Sequence, residues 1–388
     1  MMNNSKRSKN INAQPMFEIL QAAREEEGLG RHIIHLEIGD SSPLNNIQIF
    51  NLLKKNLSNA ESLQYSPSEG EKKLREAFLY HYKILCNHDF TIDNVVVTPA
   101  NAAISQVINS ITDAGDAMLL PDPGFPTFSL SAQYFEVKKV LYELNQKQDY
   151  QLNVEDIKDK INSNKTIKGI IINNPSNPLG IYHDLKDIDE ITKFCEEKKV
   201  YVILDDTYRC LIYNPTYKRN IHRSNIIYIY SMSKDTASPA MRVGCVVGHD
   251  SVIKSISRHN SLFYSCLPKF IQLAAAEYLM EDHRPYRIAM RDEMISRIES
   301  IDKIFKQTDT ISYVKPNAGI YFWINVHKTG MSGKELSLKL LKESGVCVCP
   351  GDAFGPSGVN YIRICISGDR KLLVEGVNKI YNFVCKKN

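Results

Sequence analysis

The feature that most constrains the fold is a series of short apolar runs, rich in β-branched residues, between about residue 95 and residue 250. Amphipathic stretches such as Asp184 to Lys199 separate them. Nearly continuous apolar runs are typical of parallel strands buried on both faces, and the amphipathic stretches then form helical crossovers. The pattern predicts an open α/β sheet with helices on both faces. The predicted strands are Val95–Thr98, Ala117–Leu120, Gly169–Ile172, Val200–Leu204 and Ile226–Tyr230.

The sequence changes in character after about residue 285. A charged, helix-like stretch from Arg287 to Lys306 is followed by the strand-like runs Ile320–Ile324 and Tyr361–Ile366. A chain of 388 residues exceeds the size at which a single core usually stops growing, so we expect a large domain and a smaller α+β domain with a cleft between them. The expected division is 1–46 for an N-terminal arm and part of the small domain, 47–284 for the large domain, and 285–388 for the small C-terminal domain.

Charge and hydropathy exclude several classes of partner. The formal net charge is only +4, with Lys and Arg scattered among nearly as many Asp and Glu, so nucleic acid is not an expected partner. No stretch approaches the roughly 20 apolar residues of a membrane span, so we expect no membrane association. Met1 to Gln14 is polar and lacks an apolar core, so it resembles a frayed tail more than a signal peptide.

The nine cysteines indicate a reducing compartment. Several lie inside apolar runs, as Cys245 and Cys365 do, which is typical of reduced, buried thiols, and we therefore expect a cytoplasmic protein. Cys347 and Cys349 are separated by one residue, whereas zinc ligands usually have two or more between them and a second pair nearby. No metal site is expected.

Polar residues follow four of the predicted strands. Ligands of open α/β sheets gather at the carboxyl ends of the strands, so these residues are candidates for chemistry. They are Ala100-Asn101, Asn174 to Pro178, Asp205 to Tyr208 and Ser231 to Lys234.

Lys234 is the first candidate for a catalytic residue. It follows a buried-looking strand, so its amine should be partly desolvated, which lowers the pKa and favours a Schiff-base nucleophile. Considered alone, a lysine that ends a strand is the more common interpretation. Ser231 and Arg242 flank it with a hydroxyl and a guanidinium of the kind that bind a phosphate.

The segment from Ser231 to Gly244 resembles the lysine signature of class I/II aminotransferases, pyridoxal 5'-phosphate (PLP) enzymes of fold type I. The resemblance implies that Lys234 binds PLP as an internal aldimine and that Ser231 and Arg242 bind its phosphate. It also implies a large domain with a mostly parallel, seven-stranded sheet flanked by helices, plus a smaller α+β domain.

Further motifs occur in the family's order. Asp205-Asp-Thr-Tyr208 resembles the motif whose aspartate pairs with the pyridine nitrogen and whose tyrosine bonds the ring hydroxyl oxygen. A carboxylate there keeps the ring protonated and able to accept electrons. Asn177, in a loop with two Asn-Pro pairs, resembles the asparagine that bonds the same oxygen and also contacts substrate. A helix N-cap for Asp205 and a plain turn around Asn177 are the structural alternatives.

Two other segments supply implied cofactor contacts. Ala100 and Asn101 open a helix whose free amides suit a phosphate, although relatives commonly have a glycine there and this segment is one residue shorter. Phe125 occupies the position of an aromatic that stacks on the cofactor ring.

The last matches concern the substrate and a second subunit. Arg363, between two isoleucines, resembles the arginine that grips the substrate α-carboxylate, and Gly39 resembles the position where the backbone closes over it. Tyr65 resembles the tyrosine that reaches the phosphate of a neighbouring subunit's cofactor, which implies a homodimer with shared sites.

The resemblance implies an aminotransferase that moves an amino group between an amino acid and a 2-oxo acid, with Lys234 as the proton carrier. Departures at Leu179, Ala240 and Asp40-Ser-Ser-Pro43 keep a lyase, cyclase or racemase of the same fold as an alternative. A PLP-binding sensor or scaffold is a third possibility. No basic residue can be assigned as the partner of a second substrate carboxylate. This argues weakly against an enzyme that is specific for aspartate.

Overall fold

A seven-stranded sheet forms the centre of the larger part of the molecule. The computed structural model describes residues 5, 8, 14, 16–41, 44, 46–214, 216, 217 and 220–385. The strand order is β2-β8-β7-β6-β5-β3-β4, and all neighbours are parallel except β8, which is antiparallel to β2 and β7. The strands are β2 Val95–Val97, β3 Ala117–Asp122, β4 Lys138–Glu143, β5 Ile167–Asn173, β6 Tyr201–Asp205, β7 Ile226–Ser231 and β8 Gly244–Val247.

Helices cover both faces of this sheet. Asp184 caps the crossover between β5 and β6 by accepting a hydrogen bond from the backbone N–H of Lys186, as its short polar side chain favours. The helices are α1 Met16–Gly28, α2 Ile47–Leu57, α3 Lys72–Cys86, α4 Ala100–Ile111, α5 Pro126–Tyr134, α6 Val154–Ser163, α7 Leu185–Glu197, α8 Met232–Asp235, α9 Asp250–Phe263, α10 Lys269–Met280, α11 Arg284–Phe305, α12 Gly333–Lys339 and α13 Arg370–Cys385.

A second, smaller sheet lies in the C-terminal part of the chain. It is antiparallel, in the order β12-β13-β10-β9. A separate parallel pair joins β1 to β11, which places residues near the N-terminus beside the C-terminal part. The strands are β1 Ile34–His35, β9 Ser312–Tyr313, β10 Tyr321–Asn325, β11 Val346–Cys347, β12 Cys349–Pro350 and β13 Tyr361–Cys365.

The five predicted strands of the large sheet are confirmed, but the sequence did not predict β4 or β8. β4 is an edge strand with exposed Lys138, Lys139 and Glu143, so it lacks the continuous apolar run of a central strand. β8 is only four residues long. Neither strand carries a residue of the predicted site.

Apolar side chains fill both sides of the large sheet and the space around the small one. One core packs against β2, β5 and β7, and another contains β10, β13 and helices α11 and α13. Within the described residues, no helix is long and apolar enough to cross a bilayer.

Candidate active site

A cavity of about 210 Å³ lies at the carboxyl ends of β5, β6 and β7. The sheet positions its polar residues, because Asn173, Asp205 and Ser231 are the last residues of these three strands. A larger cavity of about 900 Å³ lies elsewhere, beside Arg209 and Arg287, and contains none of the predicted site residues. The predicted residues that line the smaller cavity are Gly39, Ala100, Asn101, Phe125, Asn177, Asp205, Tyr208, Ser231, Lys234, Arg242 and Arg363.

Lys234 lies on the short helix α8, directly after β7. The Ser231 hydroxyl accepts a hydrogen bond from the Ser233 backbone N–H and so caps this helix, 3.2 Å between N and Oγ. The amine of Lys234 donates to the carbonyl oxygen of Gly39. Burial lowers the pKa of Lys234 to about 8, so about a tenth of the amine is neutral at pH 7, far more than for an exposed lysine.

Asp205 is a buried carboxylate at the end of β6. Its Oδ1 accepts hydrogen bonds from Thr207, 2.7 Å from Oγ1 and 3.1 Å from the backbone N. Burial raises the pKa of Asp205 to about 6, although the bonds from Thr207 oppose the shift. A cationic ring nitrogen beside this carboxylate would offset its desolvation.

Tyr208 keeps its proton in this environment. Its hydroxyl lies 2.9 Å from the hydroxyl of Tyr321. Burial raises the pKa of Tyr208 well above its usual range, and the nearby Tyr321 adds to the shift. The phenol can therefore donate to an oxygen anion in the cavity.

Arg363 is buried without a carboxylate partner among the described residues. Its side chain is 1% exposed. Nη1 donates to Asn177 Oδ1 at 2.9 Å, Nη2 donates to the carbonyl oxygen of Glu37 at 2.5 Å, and Nε has no partner within this part of the chain. The guanidinium lies 4.1 Å from the centre of the Tyr321 ring. A buried cation with only neutral acceptors provides a site for an anion.

Hydrogen-bond donors gather at one end of the cavity. Helix α4 begins at Ala100, and its cap residue Pro99 has no side chain that could bond the free amides of the first turn. Arg242 donates to the carbonyl oxygen of Pro239 at 2.8 Å and reaches Ser233 Oγ at 3.5 Å. A helix N-terminus, hydroxyls and a guanidinium are the groups that commonly bind phosphate.

Two residues shape the cavity walls. Phe125 precedes helix α5 and packs edge-to-face on Phe128, with 5.8 Å between ring centres, so its ring is held in place. Gly39 approaches Tyr321 so closely that a Cβ at Gly39 would lie 1.9 Å from the tyrosine hydroxyl oxygen. Only glycine fits there.

Tyr65 is the one predicted site residue that does not line the cavity of the single chain. Its side chain is 87% exposed. The role assigned to it stays a prediction, because it requires a second subunit.

Sequence reasoning missed Thr207, Ser233, Ile38 and Tyr321, which also line the cavity. Thr207 lies inside the recognised motif from Asp205 to Tyr208, so this motif could have identified it. Tyr321 was assigned only to a predicted strand. Its neighbours in space, Tyr208, Arg363 and Gly39, are far away in sequence.

Comparison with known proteins gives one family. Residues 31–380 match the model of aminotransferase class I and II. The chain is 29% identical to an aspartate aminotransferase of Pyrococcus horikoshii, over 81% of this chain and 82% of that protein. It is 30% identical to a (5-formylfuran-3-yl)methyl phosphate transaminase of Methanocaldococcus jannaschii, over 98% of this chain and 100% of that one.

Solved structures agree with this result. An aromatic aminotransferase from Pyrococcus horikoshii superimposes with a TM-score of 0.86 at 26% identity, covering 94% of this chain and 99% of that one. An alanine aminotransferase from Pyrococcus furiosus shares the fold with a TM-score of 0.90 at 24% identity, covering 99% and 100%.

Proposed function

The chain belongs to the class I and II aminotransferases, and from that membership we propose that Lys234 is its PLP-binding and proton-carrying residue. The protein is a PLP-dependent aminotransferase that moves an amino group between an amino acid and a 2-oxo acid. One observation carries the residue assignment. A lysine of lowered pKa, a buried carboxylate and a buried arginine with only neutral acceptors among the described residues line the same cavity.

The residues present fit PLP group by group. The amine of Lys234 suits the aldehyde, Asp205 the ring nitrogen, and Tyr208 with Asn177 the ring hydroxyl oxygen. The face of Phe125 suits the ring. The phosphate would be held by Ser231, Arg242 and the first-turn amides at Ala100 and Asn101.

PLP supplies an electron sink for the electrons released at the substrate Cα. Asp205 keeps that sink effective by holding a proton on the ring nitrogen. Lys234, once its amine is free, would remove the proton from the substrate Cα and deliver it to the former aldehyde carbon of the cofactor, which is the 1,3 proton shift of transamination. Its lowered pKa suits both steps, because the amine must be neutral to accept the proton and cationic to return it.

Arg363 and Gly39 position the substrate. The planar guanidinium matches an α-carboxylate with two parallel hydrogen bonds, and Asn177 and the Glu37 carbonyl fix its orientation. A side chain at Gly39 would displace Tyr321, whose ring packs on the Arg363 guanidinium, so glycine preserves this wall of the carboxylate site. The arrangement sets the angle at which the Cα proton faces Lys234.

Replacing Lys234 with alanine tests the assignment. We expect transamination to fall by at least about 100-fold, because both the covalent anchor and the proton carrier are lost. Lys254→Ala is the control, since Lys254 is exposed and pairs with Asp250 on a distant helix. Turnover in Lys234→Ala equal to that of the control would refute the assignment.

We further propose that the preferred substrate has an uncharged side chain. Relatives are named for aspartate, alanine and aromatic amino acids, so membership of the family does not identify the side chain of the substrate. The cavity is lined by Met16, Phe17 and Ile38, and its described basic residues are Lys234, Arg242 and Arg363, which already have roles.

A panel of amino acids checks this substrate class. Alanine, leucine and phenylalanine should give a kcat/KM at least about tenfold above that of aspartate, because a second carboxylate would be buried without a partner. The measurement is the change in the cofactor absorbance band in a single turnover. A preference for aspartate would contradict the proposal.

A homodimer with shared sites is also part of the proposal. Leu63 and Tyr65 are exposed, as are Leu262 and Phe263 on another segment, and we infer that these four residues form one apolar patch. The backbone N of Ser66 bonds Cys266 Sγ at 3.3 Å, which joins the two segments of this patch. Patches of this kind commonly mark protein interfaces.

Two broader assignments complete the proposal. The domain division at residues 46 and 284 is supported by the two separate sheets and by the pairing of β1 with β11. A cytoplasmic location is supported by buried free thiols such as Cys195 and Cys245.

A further inference from the structure

A group of potential metal ligands lies where β1 pairs with β11. His35 is directly opposite Cys347 in this pair, and Glu37 follows two residues later. One ligand atom of each residue lies within 4.8 Å of those of the other two. An imidazole nitrogen, a carboxylate oxygen and a sulfur therefore surround one point.

The Glu37 carboxylate is incompletely bonded. It is fully buried, at 0% exposure. Its Oε1 lies 2.8 Å from His35 Nδ1, but Oε2 has no hydrogen-bond partner in the described chain. His35 pairs with this carboxylate through Oε1, but a buried oxygen without a hydrogen bond is costly, and a metal cation at Oε2 would remove that cost. The His35 side chain is 35% exposed, so an ion can enter from solvent.

Glu27 provides the outer contact that metal-binding histidines usually have. Its Oε1 lies 3.2 Å from His35 Nε2, the nitrogen that faces away from Glu37. A carboxylate there can hold a proton on Nε2, so that Nδ1, which donates to Glu37 Oε1 when no metal is bound, can give up its own proton and coordinate a metal. Helix α1 thus orients the ring for coordination.

We propose that His35 Nδ1, the Glu37 carboxylate and Cys347 Sγ bind one zinc ion, with water as the fourth ligand on the exposed side. A sulfur and an imidazole favour zinc over magnesium or calcium, which prefer oxygen ligands. The Cys347 thiol and His35 Nδ1 lose their protons to solvent when the Zn–S and Zn–N bonds form. This proposal departs from the sequence-based prediction of no metal site, which considered only the spacing between Cys347 and Cys349.

The ion would be structural and would act next to the cavity. The carbonyl oxygen of Glu37 accepts the hydrogen bond from Arg363 Nη2. Zinc would therefore fix the backbone segment that orients Arg363, and it would join this segment to β11. Zinc is absent from the proposed reaction steps, so its binding can be measured independently of turnover.

Metal titration of the PLP-loaded protein tests the proposal. After treatment with a chelator and its removal, calorimetry with Zn²⁺ should show one tight site per chain. Co²⁺ in its place should give the visible bands of a tetrahedral ion, at longer wavelengths than PLP absorbs. Wild-type protein that binds neither ion stoichiometrically would overturn the proposal.

Variants locate the ion. His35→Gln and Cys347→Ser should abolish the tight site, and Glu27→Gln should weaken it by about 10–100-fold because it removes only the outer contact. His32→Gln and Cys349→Ser are matched controls that should retain it. Glu27 is partly exposed, so its substitution should preserve the fold. Undiminished affinity in Glu27→Gln and His35→Gln, or equal loss in the controls, would place the ion elsewhere and overturn the assignment.

Discussion

Lys234 shows how burial prepares a single side chain for chemistry. Its pKa is lowered to about 8, mainly because the charged amine is removed from water. An exposed lysine such as Lys254 has the opposite shift, because its hydrogen bond to Asp250 raises the pKa. The two amines should therefore differ in the pH at which they react.

We expect PLP to be captured by Lys234 of the cofactor-free protein at a rate that rises with pH and levels off above about pH 8. The neutral amine is the nucleophile, and its fraction grows about tenfold per pH unit below the pKa. The measurement is borohydride trapping followed by mass analysis of the labelled lysine. A rate that keeps rising about tenfold per pH unit up to about pH 10 would contradict the lowered pKa. Lys254 provides the control, since its labelling should still be rising at the highest pH.

The residues of the cavity could be predicted to different degrees. Lys234, Asp205 and Asn177 follow buried strands within distinctive local motifs, so sequence alone brought them to the same edge of the sheet. Tyr321 was missed because its importance comes from contacts with Tyr208 and Arg363, which no local spacing reveals. Contacts between distant segments are set by packing and are not visible in a short motif.

At the scale of elements, helix α8 is attached to helix α11 through a buried ion pair. Arg287 of α11 donates to Asp235 of α8 from both Nε and Nη2, at 3.0 and 2.8 Å. Burial alone would raise the pKa of Asp235, but the charge and hydrogen bonds of Arg287 outweigh it and hold the pKa far below its usual range. Asp235 directly follows Lys234, so this pair helps to hold the lysine in position.

Arg287→Ala should lower the free energy of unfolding by about 3 kcal/mol, because it leaves the buried carboxylate of Asp235 without its charged partner. Urea unfolding of the purified protein gives the value. Arg284→Ala should have no measurable effect, since Arg284 and Asp282 form an exposed pair on the same helix end. Equal stability of the two variants would show that the Asp235 pair does not hold the helices together.

The sequence predicted the strands well where both faces of a strand are buried. The apolar runs of β5, β6 and β7 appear as strands within one or two residues of the predicted bounds. β4 differs because it is an edge strand with exposed Lys138, Lys139 and Glu143, and these charges hide it from a search for apolar runs. β1 is only two residues long, and its pairing with β11 depends on the meeting of distant parts of the chain.

At the scale of the whole molecule, exposed Tyr65 can act only through a second chain if its family role holds. A dimer that shares its sites takes Lys234 from one subunit and Tyr65 from the other. The apolar patch around Tyr65 gives the surface through which the subunits would meet. Each site would then depend on two chains.

Mixing two defective variants tests this arrangement. Lys234→Ala and Tyr65→Ala homodimers should each be weakly active, but a mixed dimer contains one site with both residues intact. Refolding the two together in equal amounts should therefore restore about one quarter of wild-type activity, since about half of random dimers are mixed. Activity that never exceeds the sum of the separate variants would show that the sites are not shared. Wild type carried through the same refolding gives the reference.

The neutral acceptors around Arg363 have a consequence for the solvent in which the enzyme works. Among the described residues, the buried guanidinium is held by the neutral oxygens of Asn177 and Glu37, so it attracts any small carboxylate or halide that reaches the cavity. Acetate or chloride would therefore compete with the substrate for the same cation. The apparent affinity for an amino acid would therefore depend on the anions in the buffer. In the cell, the concentration of such anions would affect the substrate concentration that the enzyme requires.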